Sequence, residues 1–334
     1  LQTIARNVQE FHLCHVKGKL KEESMIFHHI KVPKMIHFSS LLLALPTALK
    51  AFKICREYGI DLIYILDGSY YELSGLLASK LARIPLVFRL RTNEIKLRLI
   101  LRHNYIRRIL ITFLTRLTVT NAKRAICLNH VLRELVLKWG VKSSNVALVY
   151  HGVDTDRFRP KRVEKPYSKV VLFVGGISPP KGIHVLFKVA KMLKDIHFLL
   201  VGPVGIKMRE IPENVHYLGL KPHSDMPKYY NMCDLLVLPS YVEAFGDVIL
   251  EAFAAGKPVI ASKVGEIPWI VTAQFGWLVE PGNALQLKEA ILDAFSDEKT
   301  LKAKGIAARK YVIENFKWES YSERMIKILS ECIN

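Results

Sequence analysis

Glu243 and Glu251 are separated by seven residues in the run Ser240-Tyr-Val-Glu243-Ala-Phe245-Gly246-Asp247-Val-Ile-Leu-Glu251-Ala. Glu243 follows the apolar run Asp234-Leu-Leu-Val-Leu-Pro239, and Glu251 falls about one turn inside the helix that comes next. A carboxylate partly removed from water is costly unless it accepts hydrogen bonds. A vicinal diol donates two, and both sugars and ribose carry such diols. Gly246 lets the backbone pass close to a ligand, and the helix start faces it. The competing reading makes Asp247 an N-cap and leaves both glutamates on the surface.

A second segment with chemistry is Gly175-Gly176-Ile-Ser-Pro-Pro-Lys181-Gly182, which leaves a buried strand and enters a helix. Free backbone N–H groups and the helix dipole suit an anion there, and Lys181 adds a mobile charge. The segment is neither a dinucleotide fingerprint nor a P-loop: it lacks GxGxxG, and its lysine precedes the glycine. A tight turn with a solvated lysine fits the same residues. Asp154-Thr155-Asp156 has the look of a metal-binding DxD but reads first as a turn between a strand and the linker, and no metal ligand set is assigned.

These segments need strands to end beside them. Apolar runs alternate with helical patterns along the chain: Asp61–Leu66, Pro85–Leu90, Ala125–Leu128 and Asn145–Tyr150, then Val170–Val174, Phe198–Val201, Val215–Leu218, Asp234–Leu238, Pro258–Ala261 and Gly276–Val279. Phe11–Val16 and Ile26–Val32 read as strands nearer the start. Alternation of this kind predicts an α/β protein with two doubly wound, parallel, Rossmann-like sheets whose ligands lie beyond the carboxyl ends of the strands. The expected domains are 1–158, 159–316 and a closing helix over 317–334 that returns to the first domain. Arg157–Lys169, with two prolines and six Lys or Arg, reads as the linker.

The 334 residues are 50% hydrophobic and 24% charged, enough for sizeable cores and unlike a disordered chain. Net charge is +19, and residues 1–150 carry +15 of it against +4 for residues 151–334. The basic half calls for an anionic partner, but no nucleic-acid motif accompanies it. Five scattered cysteines without a CxxC pair argue against a disulfide framework or zinc site and for a reducing, cytoplasmic setting.

Taken together, these residues resemble the GT4 (group 1) glycosyltransferases of GT-B fold. The likeness is carried by Glu243 to Glu251 as an E-x7-E motif, by Tyr229-Tyr-Asn-Met-Cys-Asp234 through Ser240, and by Ala255-Gly-Lys-Pro258 through Pro268. Gly152-Val-Asp154 with Phe158, Gly175 with Lys181-Gly182, and Glu314 to Trp318 extend it. The resemblance implies a retaining hexosyltransferase that uses a nucleoside diphosphate sugar and no essential cofactor or divalent metal. It assigns Glu251 to the donor ribose, Glu243 to the donor sugar near its reacting carbon, and Lys181 to the diphosphate. The backbone near Gly175, Gly176, Phe245, Gly246 and Asp247 would line the donor. Glu243 and Lys181 would carry catalysis, with a glycan or lipid-linked molecule as acceptor.

Three departures accompany the likeness. Gly176 stands where the family usually has arginine, and Arg91 where it usually has histidine. Arg89 and Arg91 either offer charge to the donor or are solvated strand-end residues. The opening strand and glycine-rich loop of the fold are expected to be missing ahead of Leu1, with weakened activity as the consequence; a catalytically inactive binding or scaffolding subunit is the alternative. Ile95–Leu117 carries Lys96, Arg98, Arg102, Arg107, Arg108 and Arg116 and no acid, with apolar residues near helical spacing. It reads either as a peripheral contact with an anionic membrane at the cytoplasmic face or as a helix packed on the sheet with a solvated basic side.

Overall fold

The computed structural model describes residues 12–15, 26–29, 44–66, 71–90, 105–205 and 210–333. The chain forms two compact units, one of residues 1–150 with 321–334 and one of residues 151–320.

In the first unit, β1 (His12–His15) pairs in parallel with β2 (Ile26–His29). Helix α1 (Ala44–Glu57) precedes β3 (Ile63–Leu66), and α2 (Tyr71–Ala82) leads to β4 (Leu86–Leu90). Helix α3 (Tyr105–Thr120), β5 (Arg124–Cys127), α4 (His130–Lys138) and β6 (Val146–Leu148) complete the run. The sheet order is β3-β4-β5-β6, all parallel. All five residues of β4 are buried, so Leu-Val-Phe-Arg-Leu reads as a strand covered on both faces rather than an alternating one. Asn129 caps α4 by accepting from the Leu132 N–H at 2.8 Å. One face of the sheet, Val87, Ile126 and Val149, is covered by Met325, Leu329 and Cys332. Those three lie on the final helix, and Lys123 Nζ donates to the Cys332 carbonyl at 2.8 Å.

The second unit runs β7 (Val170–Val174), α5 (Ile183–Met192), β8 (His197–Val201), β9 (Val215–Gly219), α6 (Met226–Met232), β10 (Leu235–Leu238) and α7 (Asp247–Ala254). It continues with β11 (Val259–Ser262), the short α8 (Ile267–Ile270), β12 (Gly276–Val279), α9 (Ala284–Ser296) and α10 (Glu298–Asn315). Helix α11 (Trp318–Ile333) begins in this unit and ends in the first. Six parallel strands lie in the order β12-β11-β10-β7-β8-β9. Phe173, Phe198, Leu200, Leu235 and Val237 of the sheet meet Leu186 and Val189 of α5 and Leu287 and Ile291 of α9 in one buried core. The positions of Leu186 and Val189, and of Leu287 and Ile291, are three and four apart, which puts each pair on one helix face.

Residues 157–169 are packed into this unit rather than strung out as a linker. Phe158 is buried, the Lys161 N–H donates to Asn231 Oδ1 at 2.7 Å, and Lys165 pairs with Asp234 at 2.6 Å. The prolines and positive charges that look like a linker in sequence are anchored by the two aromatic residues among them. The second of these, Tyr167, stacks on His197 with ring centroids 3.6 Å apart.

His197 Nδ1 in turn lies 3.0 Å from His216 Nε2, across β8 and β9. Burial, followed by the neighbouring His197, holds the His216 imidazole below its ordinary range. The folded chain therefore resists protonation that the unfolded chain accepts near pH ~6.5, so stability is lost as the pH falls below that value. The melting temperature of the native chain is expected to fall more steeply from about pH 7 to about pH 5 than that of His216→Gln. Equal slopes for the two proteins would show that this pair does not titrate with folding.

Candidate active site

Strands β7 and β10 are neighbours, with Leu235 opposite Val171 and Leu236 opposite Leu172. Their following loops therefore leave the same edge of the sheet side by side. The loop after β7 runs through Gly175 and Gly176 to a single 3₁₀ turn, Pro179–Lys181, and enters α5 at Gly182. Gly182 has φ of +71°, and a Cβ there would lie 1.9 Å from the Pro239 carbonyl oxygen at the end of β10. Only glycine permits that approach. The Tyr241 N–H donates to the Pro180 carbonyl at 2.9 Å, which ties the two loops together.

Lys181 Nζ lies 2.5 Å from Glu243 Oε2 across this junction. The Glu243 side chain is only 15% exposed. Its backbone is backed by the loop after β11, where a Cβ at Gly265 would come within 1.9 Å of the Glu243 carbonyl oxygen. Glu251 projects from the second turn of α7 and is 13% exposed. Its Oε2 accepts from the Tyr230 hydroxyl at 2.7 Å, and its Oε1 lies 2.7 Å from His223 Nε2. Both glutamates are thus largely withdrawn from solvent and hydrogen-bonded, which removes the reading that leaves them on the surface. Helix α7 has Gly246 at its N-cap position, and Asp247, the first helical residue, bonds His151 Nδ1 at 2.6 Å.

The edge of this sheet thus presents an ammonium group, two carboxylates and the N-terminus of α7. Such a set is chemically suited to a ligand with an anionic part and a hydroxylated part. Burial and the adjoining Glu251 carboxylate push the Tyr230 phenol well above its ordinary range, so its hydroxyl stays a proton donor. Burial pushes the thiols of Cys127 and Cys233 up to about 12, so neither supplies a thiolate nucleophile near neutral pH.

Two family models align with the chain: Glycosyltransferase Family 4 over residues 5–157 and Glycosyl transferases group 1 over residues 154–311. The chain belongs to the group 1, family 4 glycosyltransferases. An uncharacterized glycosyltransferase of Methanocaldococcus jannaschii is 29% identical over 96% of this chain and 90% of its own length. A D-inositol 3-phosphate glycosyltransferase of Corynebacterium diphtheriae is 27% identical over 59% of this chain, and the chain spans about half (53%) of that protein. Among solved structures, sucrose-phosphate synthase from Thermosynechococcus elongatus superposes with a TM-score of 0.82 at 21% identity, over 99% of this chain and 90% of that one. The Anabaena HepE protein in complex with UDP-glucose gives 0.73 at 23% identity, over 87% and 84%. These structural likenesses establish the GT-B fold of this glycosyltransferase.

In this glycosyltransferase the predicted residues Gly175, Gly176, Lys181, Glu243, Gly246, Asp247 and Glu251 lie in the loops and helix start at the carboxyl edge of the second sheet. Phe245 belongs to the same segment, but its ring is buried against His151 and Phe316. Gly176 has room for a side chain: a Cβ there meets only Ser178 Oγ, at 3.9 Å. Asp154 forms a turn, accepting from the N–H groups of Asp156 and Arg157 at 3.2 and 2.9 Å. Arg89 lies in the first unit on β4 and is 5% exposed, which removes the reading of a solvated strand end. Its Nη1 donates to the hydroxyls of Tyr64 and Tyr321, and burial, which alone would lower its pKa, is outweighed by those two phenols. Arg91 lies outside the described residues.

Sequence reasoning missed His151, His223 and Tyr230 as groups touching the site residues. Tyr230 stood inside a recognised motif, but its acceptor lies on another helix. His223 and His151 carried no local signal.

Proposed function

We propose that this glycosyltransferase moves a hexose, with retention of anomeric configuration, from a nucleoside diphosphate sugar to a glycan or lipid-linked acceptor. The observation that carries the reading is the joining of Lys181 to Glu243 at the edge where β7 and β10 end, with Glu251 held in the helix that follows. Glu251 would accept from the ribose diol. Lys181 and the N–H groups near Gly175 and Gly246 would take the diphosphate, and Glu243 would lie against the sugar near its reacting carbon. The Anabaena HepE protein, of the same fold, is solved in complex with UDP-glucose, and that complex supports a nucleotide sugar as donor. The chemical barrier lies in breaking the bond from the sugar to the departing diphosphate. A fixed cation and oriented N–H groups lower that barrier by stabilising the charge that leaves. The Lys181 ammonium would exchange its Glu243 partner for phosphate oxygens, leaving Glu243 oriented toward the sugar.

A peripheral membrane contact through residues 95–117 is part of the same proposal. Residues 95–104 lie outside the described residues. The remainder forms the start of α3, where Ile109 and Phe113 are more than half exposed and Arg116 is exposed beside them. Ile111, Leu114, Thr118 and Val119 on the same helix are buried. The helix therefore packs one face inward and presents Ile109, Phe113 and Arg116 on another, a combination that suits an anionic interface. Among the described residues no helix is long and apolar enough to cross a membrane.

A saturating nucleoside diphosphate, at about 100 times its Kd, is expected to stabilise the chain by about 2.7 kcal/mol in thermal unfolding. Glu251→Ala abolishes most of that gain, whereas Glu243→Gln keeps it and lowers kcat and kcat/KM together. If UDP, GDP and ADP all leave the melting temperature unmoved, the donor reading fails. In co-sedimentation, the chain should bind anionic but not neutral liposomes, with binding that weakens as salt rises and with Phe113→Ser. Equal binding to both vesicle types, or none at low salt, would count against the membrane contact.

A further inference from the structure

Glu251 meets its two partners with different oxygens, and the partners differ in kind. The Tyr230 hydroxyl on Oε2 belongs to a fully buried side chain, whereas His223 on Oε1 is more than half exposed. We propose that Tyr230 is a positioning residue for donor binding: its hydroxyl fixes the inner oxygen of Glu251 and thereby turns the outer oxygen toward the ribose diol. The proposal rests on the reading of Glu251 as the donor-holding carboxylate and goes beyond it in naming what sets that carboxylate's orientation.

A glutamate on a helix has three rotatable side-chain bonds, and holding it in one geometry costs conformational entropy at the moment of binding. A bond made before the ligand arrives removes that cost from the binding step. The phenol suits the task because it is itself immobile. The Tyr230 ring meets the Phe158 ring edge-on, with centroids 5.8 Å apart, and the Cys233 thiol donates to the Tyr230 carbonyl at 3.2 Å. Phe158 is buried, and the carbonyl of that residue accepts from Arg309 Nη1 at 3.2 Å. Arg309 Nη1 also donates to the carbonyl of Ala254, at the end of the helix that carries Glu251. The Gly152–Phe158 segment, α6 and α7 are thus locked to one another around the phenol. His223 is the weaker candidate for this role because it bonds the outward oxygen and its side chain lies largely in solvent.

The test is a double-mutant cycle on Tyr230→Phe and Glu251→Ala, read as the Kd of whichever of UDP, GDP or ADP stabilises the native chain and as the kcat and KM for the matching nucleotide sugar. Loss of a hydrogen bond to a charged group is expected to raise Kd and KM about tenfold in Tyr230→Phe, with kcat little changed. In the Glu251→Ala background the same substitution is expected to change Kd less than about twofold, because its route to the ligand is already gone. Unchanged Kd in Tyr230→Phe, or an equal loss in both backgrounds, would overturn the proposal, since a merely structural hydroxyl acts the same in either. Should Tyr230→Phe fail to fold, Phe158→Leu loosens the ring without substituting Glu251 and, because the Phe158 ring also lies 5.3 Å from that of His223, is read in the same cycle beside His223→Gln: a rise in Kd confined to the native Glu251 background and larger than that of His223→Gln supports the proposal, and an unchanged Kd or one no larger than that of His223→Gln overturns it. A native chain that binds no nucleoside diphosphate defeats the donor reading as well. A native chain that binds, with Tyr230→Phe binding equally well, defeats this inference alone.

Discussion

The contact between Gly182 and the carbonyl of Pro239 sets the spacing on which the candidate site depends. It brings the turn after β7 against the end of β10 at a distance that no side chain at residue 182 would allow. Lys181, one residue earlier, then stands within reach of Glu243, three residues beyond Ser240. A partly exposed ion pair of this kind adds little to stability, because water solvates both partners well when they are apart. Its importance is geometric: it keeps a cation and a carboxylate together where two parallel strands stop. The approach of Gly265 to the Glu243 carbonyl fixes the same loop from the third neighbouring strand, β11.

Glu251 is restrained by different means. It sits on a helix whose far end is fastened through the Ala254 carbonyl to Arg309, and whose near end carries the Asp247 bond to His151. The carboxylate itself is held by Tyr230 and His223. Family motifs that look independent in sequence therefore form one packed assembly. Gly152-Val-Asp154 with Phe158 serves Glu251 through the Phe158 ring, and the Tyr229–Asp234 stretch serves it through the Tyr230 hydroxyl. Rigid support for a small number of polar groups is what a binding site needs to hold its ligand without paying the ordering cost at each encounter.

The alternation of strands and helices was legible because parallel strands covered on both faces need continuous apolar runs, and Val170–Val174 and Leu235–Leu238 are such runs. The placement of Lys181, Glu243 and Glu251 in the turns and helix start beyond buried strands was legible because turn residues follow the apolar runs Val170–Val174 and Leu235–Leu238. What was not legible depends on contacts between elements distant in the chain. His223 and Glu251 are 28 residues apart and His151 and Asp247 are 96 apart, and neither histidine has a sequence neighbour that announces the bond. Arg89 read either as a charge offered to the donor or as a solvated strand-end residue, because position within a strand says nothing about which helix covers it; Tyr321, at the other end of the chain, does so here. Arg157–Lys169 looked like a linker because composition counts prolines and charges and does not weigh two aromatic anchors.

The most direct test of the donor site is a crystal structure of the chain with a bound nucleoside diphosphate. The account predicts the ribose hydroxyls on the Glu251 carboxylate, Tyr230 still bonded to its inner oxygen, and the diphosphate within hydrogen-bonding distance of Lys181. A nucleotide bound away from the carboxyl edge of β7 and β10, with Lys181 still paired to Glu243, would contradict it.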